Sequence, residues 1–127
     1  MQLLNHSDSS LRSWAVRAAG NMGQVSGAIG EKIVGMSADS SGDVQLQVAI
    51  ASVKIDGIDP MPVLIDVLCR CGDDKLIPHI VWQNLHPLLG DQGPDFLALV
   101  RQYDLKKYPN LAGIMPRVTE RILAGKK

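Results

Sequence analysis

Asp43-Val-Gln-Leu-Gln-Val-Ala-Ile-Ala-Ser-Val-Lys-Ile55 is the stretch whose reading decides the fold. Counting from Val44, small or apolar residues return four, seven and eight positions on, at Val48, Ala51 and Ser52. Those offsets share one face of an α-helix. The same arrangement stands 33 residues earlier, from Leu11 to Ala15, Ala18 and Ala19. It stands again 33 residues later, from Ile77 to Val81, Asn84 and Leu85. One helix, here called the A helix, is therefore expected three times.

Between the A helices the pattern predicts a second, B helix in each unit. The first A helix is expected over 10–21, with Asp8 or Ser9 as N-cap and Gly20 to Gly23 ending it. A B helix over 26–38 would turn Ile29, Ile33 and Val34 to one face, with Gly27, Gly30 and Gly35 marking close packing or fraying. The second A helix runs from Asp43 to about Asp56-Gly57. Asp59-Pro60 starts the second B helix, since Asp caps and Pro suits the first turn; Leu64, Val67 and Leu68 face inward. The third A helix starts near Leu76, and Pro87 is expected to end or kink it. Gly93-Pro94-Asp95 opens a third B helix reaching Tyr103, and Val34, Val67 and Val100 keep the 33-residue register. Asn110 is expected to cap a last helix bearing Leu111, Ile114, Met115, Val118, Ile122 and Leu123, kinked or delayed by Pro116. The expectation is an all-α chain: an α-solenoid of about three and a half helix-pair repeats, at 8–39, 40–72 and 73–106, with a terminal helix at 110–125. Such pairs bury only one face alone and must stack.

Composition agrees. With 127 residues, 46% hydrophobic but only 4% aromatic, the core must be built mostly from small aliphatic side chains. Net charge is zero, which gives the whole chain no bias toward nucleic acid or membrane. The distribution is uneven. Residues 1–100 hold six basic and eleven acidic groups, and residues 101–127 hold seven basic and two acidic. No apolar run approaches the roughly 20 residues that cross a bilayer. Met1-Gln-Leu-Leu-Asn-His6 lacks the basic start and long apolar run of a signal peptide and reads as the last turn of a helix. The chain is thus expected to be a piece of a longer protein. Cys69 and Cys71, two apart on a helix, point to nearly opposite sides and cannot close a relaxed disulfide.

A 33-residue period also suits ankyrin and tetratricopeptide repeats, whose signatures are absent. Asp8-Ser-Ser-Leu-Arg-Ser-Trp-Ala-Val-Arg-Ala-Ala19 instead resembles the Asp-x-x-Val-Arg-x-x-Ala-x-x-Ala-Leu signature of short HEAT repeats. Asp43-Val-Gln-Leu-Gln-Val-Ala49 resembles it more loosely, and Asp74-Lys-Leu-Ile-Pro-His-Ile-Val-Trp82 departs further, with Pro in place of the usual Arg. In their order, the segments from Arg12, Val44 and Ile77 resemble the HEAT region of large exported planctomycete and verrucomicrobial proteins. Those are similar to membrane-bound sugar dehydrogenases, with a β-propeller before the repeats and a cytochrome c-like domain after them. The resemblance implies a periplasmic or exported parent in carbohydrate redox chemistry. It transfers no catalytic residue and no cofactor to this chain.

Candidate sites follow from residue type and spacing. His79 and His86 lie seven apart, roughly 10.5 Å of helical rise, too far to share one metal. Asp73, Asp74 and Asp91 lack a calcium-loop context and suit turns and caps. Ser9, Ser10, Ser40 and Ser41 lie in turns without a nucleophile elbow. Trp14 and Trp82 flank the A-helix stripe, either as packing between repeats or as exposed anchors. Arg12 and Arg17 share the first A helix, and Arg17 is expected to bond acidic turn residues of a neighbouring repeat. Arg101, Lys106, Lys107, Arg117, Arg121, Lys126 and Lys127, with Tyr103 and Tyr108 nearby, form a basic end suited to an anionic partner. The expected interaction surface is Trp14, Arg17, Trp82, Arg117 and Arg121. The reading is a non-catalytic scaffold or spacer that binds protein, whether other domains of its parent or a separate partner. Its rivals are a nucleic-acid binder using residues 101–127, which the acidic first hundred residues disfavour, and an enzyme of the HEAT-like lyase or hydroxylase kind.

Overall fold

A computed structural model describes residues 2–125, and these are all-helical, with six α-helices packed together. After a 3-10 turn at Gln2–Asn5 come α1 (Ser9–Met22), α2 (Gly27–Gly35), a second 3-10 turn (Met36–Ala38), α3 (Gly42–Ser52), α4 (Pro60–Arg70), α5 (Leu76–Val100) and α6 (Pro109–Gly125). Side chains set the starts. Asp8 accepts the Ser10 N–H at 2.8 Å, Ser26 that of Ile29 at 3.3 Å, Ser41 that of Val44 at 3.5 Å and Asp59 that of Met61 at 3.3 Å. One Asp74 oxygen takes the N–H groups of both Leu76 and Ile77, at 2.8 and 2.9 Å. Each of these contacts satisfies a donor that the first helical turn leaves open. Gly23, at φ 75°, ends α1 in the left-handed conformation that glycine alone enters freely.

Packing follows the stripe. α1 lies against α3, α3 against α5, and α5 against α6, while α4 touches α3, α5 and α6. Surrounded in this way, α3 buries Val44, Gln45, Val48, Ala49, Ala51 and Ser52. The offset-four residues Ala15, Val48 and Val81 and the offset-eight residues Ala19, Ser52 and Leu85 are buried in every copy. Polar members of the stripe satisfy themselves locally: Ser52 Oγ donates to the Ala49 carbonyl at 2.7 Å and Asn84 Nδ2 to that of Ile80 at 2.9 Å. Gly20 brings α1 close to α3; a Cβ there would stand 3.2 Å from that of Ala51.

Several expectations need correction. α5 continues through Pro87, held on both sides by buried Leu85 and Leu89, although an interior proline costs about 3 kcal/mol or more. Its kink falls at Gln92 (φ −112°, ψ 21°), between the helix-weakening Gly90 and Gly93-Pro94. The third A and B helices therefore join without a loop, and the latter stops at Val100 rather than Tyr103. α6 likewise runs through Pro116. Asn110 sits inside α6's first turn rather than capping it, and its amide reaches the end of α4, donating to the carbonyls of Leu68 at 3.4 Å and, just beyond the helix, Gly72 at 2.8 Å. α3 stops at Ser52, short of Asp56. In the first unit the register loosens: Leu11 and Val34 are 37% and 39% exposed, and Ala18 is exposed too. α1 has α3 as its main neighbour and otherwise chiefly the Gln2–Asn5 turn, so part of its apolar face meets solvent.

Candidate interaction site

The α5–α6 interface positions the side chains of greatest interest. Val81, Leu85 and Leu89 of α5 and Leu111, Ile114, Val118 and Ile122 of α6 are buried in the common core. One position beside this seam, Trp82 and His86 follow each other by one turn on α5, as Arg117 and Arg121 do on α6. The pairs meet. Arg117 lies over the Trp82 ring, 5.0 Å from its centroid, and Trp82 and His86 pack edge to face at 5.4 Å. Arg121 Nε donates to the His86 carbonyl at 3.3 Å. An open hollow of about 350 Å³ is lined by these four residues with Glu120 and Ala124. Gly90 gives Arg121 its room. A Cβ at Gly90 would come within 2.9 Å of an Arg121 guanidinium nitrogen, so glycine leaves the room that this side chain occupies.

Of the five expected surface residues, the structure brings together Trp82, Arg117 and Arg121. Trp14 lies apart on α1, 68% exposed, contrary to packing between repeats. Arg17 lines a second hollow, of about 370 Å³, between α1 and α3, with Gly20, Gln47, Ile50, Ala51 and Lys54. Among the described residues it makes no ion pair; the expected bond to an acidic turn belongs to Arg12 instead. Arg12 grips Asp39 through Nε–Oδ2 and Nη2–Oδ1, both 3.0 Å, and donates from Nη1 to the carbonyls of His6 and Ser7. Arg12 stands nearer the turn end of α1, while Arg17 is more than one helical turn further along. Partial burial pushes the Asp39 carboxyl up, but hydrogen bonds from Arg12 and the Ser41 N–H outweigh it and hold the group below its ordinary value.

Arg101, Lys106 and Lys107 are not among the residues that line that hollow. Lys126 and Lys127 lie outside the described residues. Tyr103 and Tyr108 pack on each other edge to face at 5.7 Å. His79 pairs with Gln83 at 3.0 Å, apart from His86, and Asp74 is a cap. Among the described residues no three His, Cys, Asp or Glu side chains gather as a metal site would require.

Residue patterns missed one polar cluster. Asp66 accepts from the hydroxyl of buried Ser37 and from Arg70 Nε, the latter at 3.0 Å. The Asp66–Arg70 spacing of one turn was a visible signal. Ser37 gave none, because only the tertiary packing of its 3-10 turn on α4 brings it there. Beside this cluster, burial and the Asp66 charge push the Cys69 thiol up to about 11. Burial, then Asp74, raises that of Cys71. Both are poor thiolates at neutral pH.

No family model, curated protein or solved structure matches this chain.

Proposed function

We propose that the chain is a HEAT-like α-solenoid serving as a non-catalytic interaction scaffold or spacer within a larger exported protein of the dehydrogenase and cytochrome c kind. The observation that supports this reading is the succession of contacts from α1 to α3, α5 and α6, whose members recur at the 33-residue period. A row of this kind presents side chains at fixed spacing, and its mechanism is geometric. Trp14, Arg17, Trp82 and Arg117 stand along it at or near the surface. The redox setting rests on the resemblance carried by the segments from Arg12, Val44 and Ile77. Cross-linking of the full natural protein through exposed Lys54 on the α3 side tests the scaffold. Links from Lys54 to another domain or another protein are expected, and links confined to this chain would count decisively against it. A Cys-x-x-Cys-His segment in the same polypeptide is the matching expectation for the redox setting.

A further inference from the structure

We infer that the hollow between α5 and α6 is a binding site for a carboxylate-rich segment of a protein partner, a reading that rests on the scaffold role proposed above. Two guanidiniums one turn apart open into it, and both are held in place from behind. Arg117 is fixed over Trp82 and Arg121 by the His86 carbonyl, in space that Gly90 leaves free. The two ion pairs among the described residues, Arg12–Asp39 and Arg70–Asp66, leave both groove arginines without a carboxylate partner. Guanidinium forks already positioned by a neighbour bind carboxylates in the bidentate mode at a lower cost in side-chain entropy than free ones. The apolar edge of Trp82 and the methyl of Ala124 line the same hollow and suit an apolar residue beside the acid.

A nucleic acid fits this hollow less well. Trp82 is half-buried against the core and has Arg117 over its ring, so its π-face is already engaged and is a poor platform for a base. Gripping a chain of phosphates takes several cations, and this hollow supplies two. A carboxylate flanked by an apolar side chain meets both requirements of the groove.

The probe is a labelled peptide repeating Glu-Phe-Asp-Gly, followed by fluorescence anisotropy with the full chain. Binding is expected to weaken at least about ten-fold in Arg117→Gln and in Arg121→Gln, and to stay within about two-fold in Arg17→Gln, which lies in the other hollow. Arg121→Lys keeps the charge but loses the fork, and Gly90→Ala keeps both charges but displaces Arg121; each should also weaken binding while the melting transition stays cooperative. The inference is overturned by any of four results: no binding by the wild-type chain, equal loss in Arg17→Gln, tighter binding of oligo(dT) than of the peptide, or self-association abolished by the same substitutions. If the peptide fails while Lys54 cross-links persist, the groove assignment falls and the scaffold reading stands. Peptide binding without those cross-links would keep the groove and remove the scaffold.

Discussion

Asp39 carries a pH dependence in the acid range. Arg12 and the Ser41 N–H hold its carboxyl below the ordinary carboxylate value in the folded chain. Protonation is therefore harder folded than unfolded, so the contribution to stability is complete above about pH 4 and is lost as pH falls through the lower folded value. Urea midpoints measured downward from pH 6 should fall less steeply in Asp39→Asn than in the wild type; parallel curves would show that the pair contributes no acid sensitivity. Asn110 matters at the same scale because it spans two helices. Asn110→Ala removes the donor to the carbonyls of Gly72 and Leu68, and the expected cost is about 1 kcal/mol, read from urea unfolding. An unchanged midpoint would mean that water replaces the amide without loss.

Among the elements, glycines separate two opposite expectations. At Gly93 in α5 a Cβ would stand 2.9 Å from Ile122 Cγ1 and 3.3 Å from its Cδ1 and Cγ2. Branching at Cβ leaves Ile122 little freedom to swing aside, so Gly93→Ala should destabilise by about 1–3 kcal/mol through overpacking. At Gly35 the backbone is helical and nothing lies within 4 Å of the added atom. Gly35→Ala should therefore stabilise by about 0.4–1 kcal/mol by restricting the unfolded chain. Thermal melts of the two variants should move in opposite directions, and a Gly93→Ala melt that does not fall would refute the packing described for α5 and α6. α3 makes a harsher case. Val48 is wholly buried, so Val48→Asp places an unpaired carboxylate in the core and should abolish the cooperative melt. A wild-type melting temperature in that variant would refute the register of the central helix.

The whole molecule is where the repeat itself can be tested. Inserting a second copy of residues 43–75 after position 75 adds one 33-residue unit in register. A stack of equivalent units accepts the insert, each contacting only its neighbours, and the denaturant m value should rise roughly in proportion to the added surface. An unchanged m value with rapid proteolysis of the extra copy would show that the helices interlock and do not stack.

Much of this architecture was legible beforehand because the information was local. The Asp8 and Asp59 caps, the turn at Gly23 and the stripe of Val44, Val48 and Ser52 depend only on residue type and near-neighbour spacing. Arg117 and Arg121 could be placed on one helical face for the same reason. What faces them could not. The meeting of Arg117 with Trp82 spans 35 positions, and the bond from Asn110 to Gly72 spans 38. Pro87 staying helical while Gln92 kinks was likewise decided by packing, since the burial of Leu85 and Leu89 offsets a local penalty. By itself, then, the sequence determined the helices and their period, because backbone hydrogen bonding and side-chain periodicity act within a few residues. Only the tertiary structure decided that Trp14 stands in solvent, that Arg12 rather than Arg17 grips the acidic turn, and that Trp82, Arg117 and Arg121 share one hollow. Each of these depends on which helix faces lie against one another, a relation that no local spacing encodes.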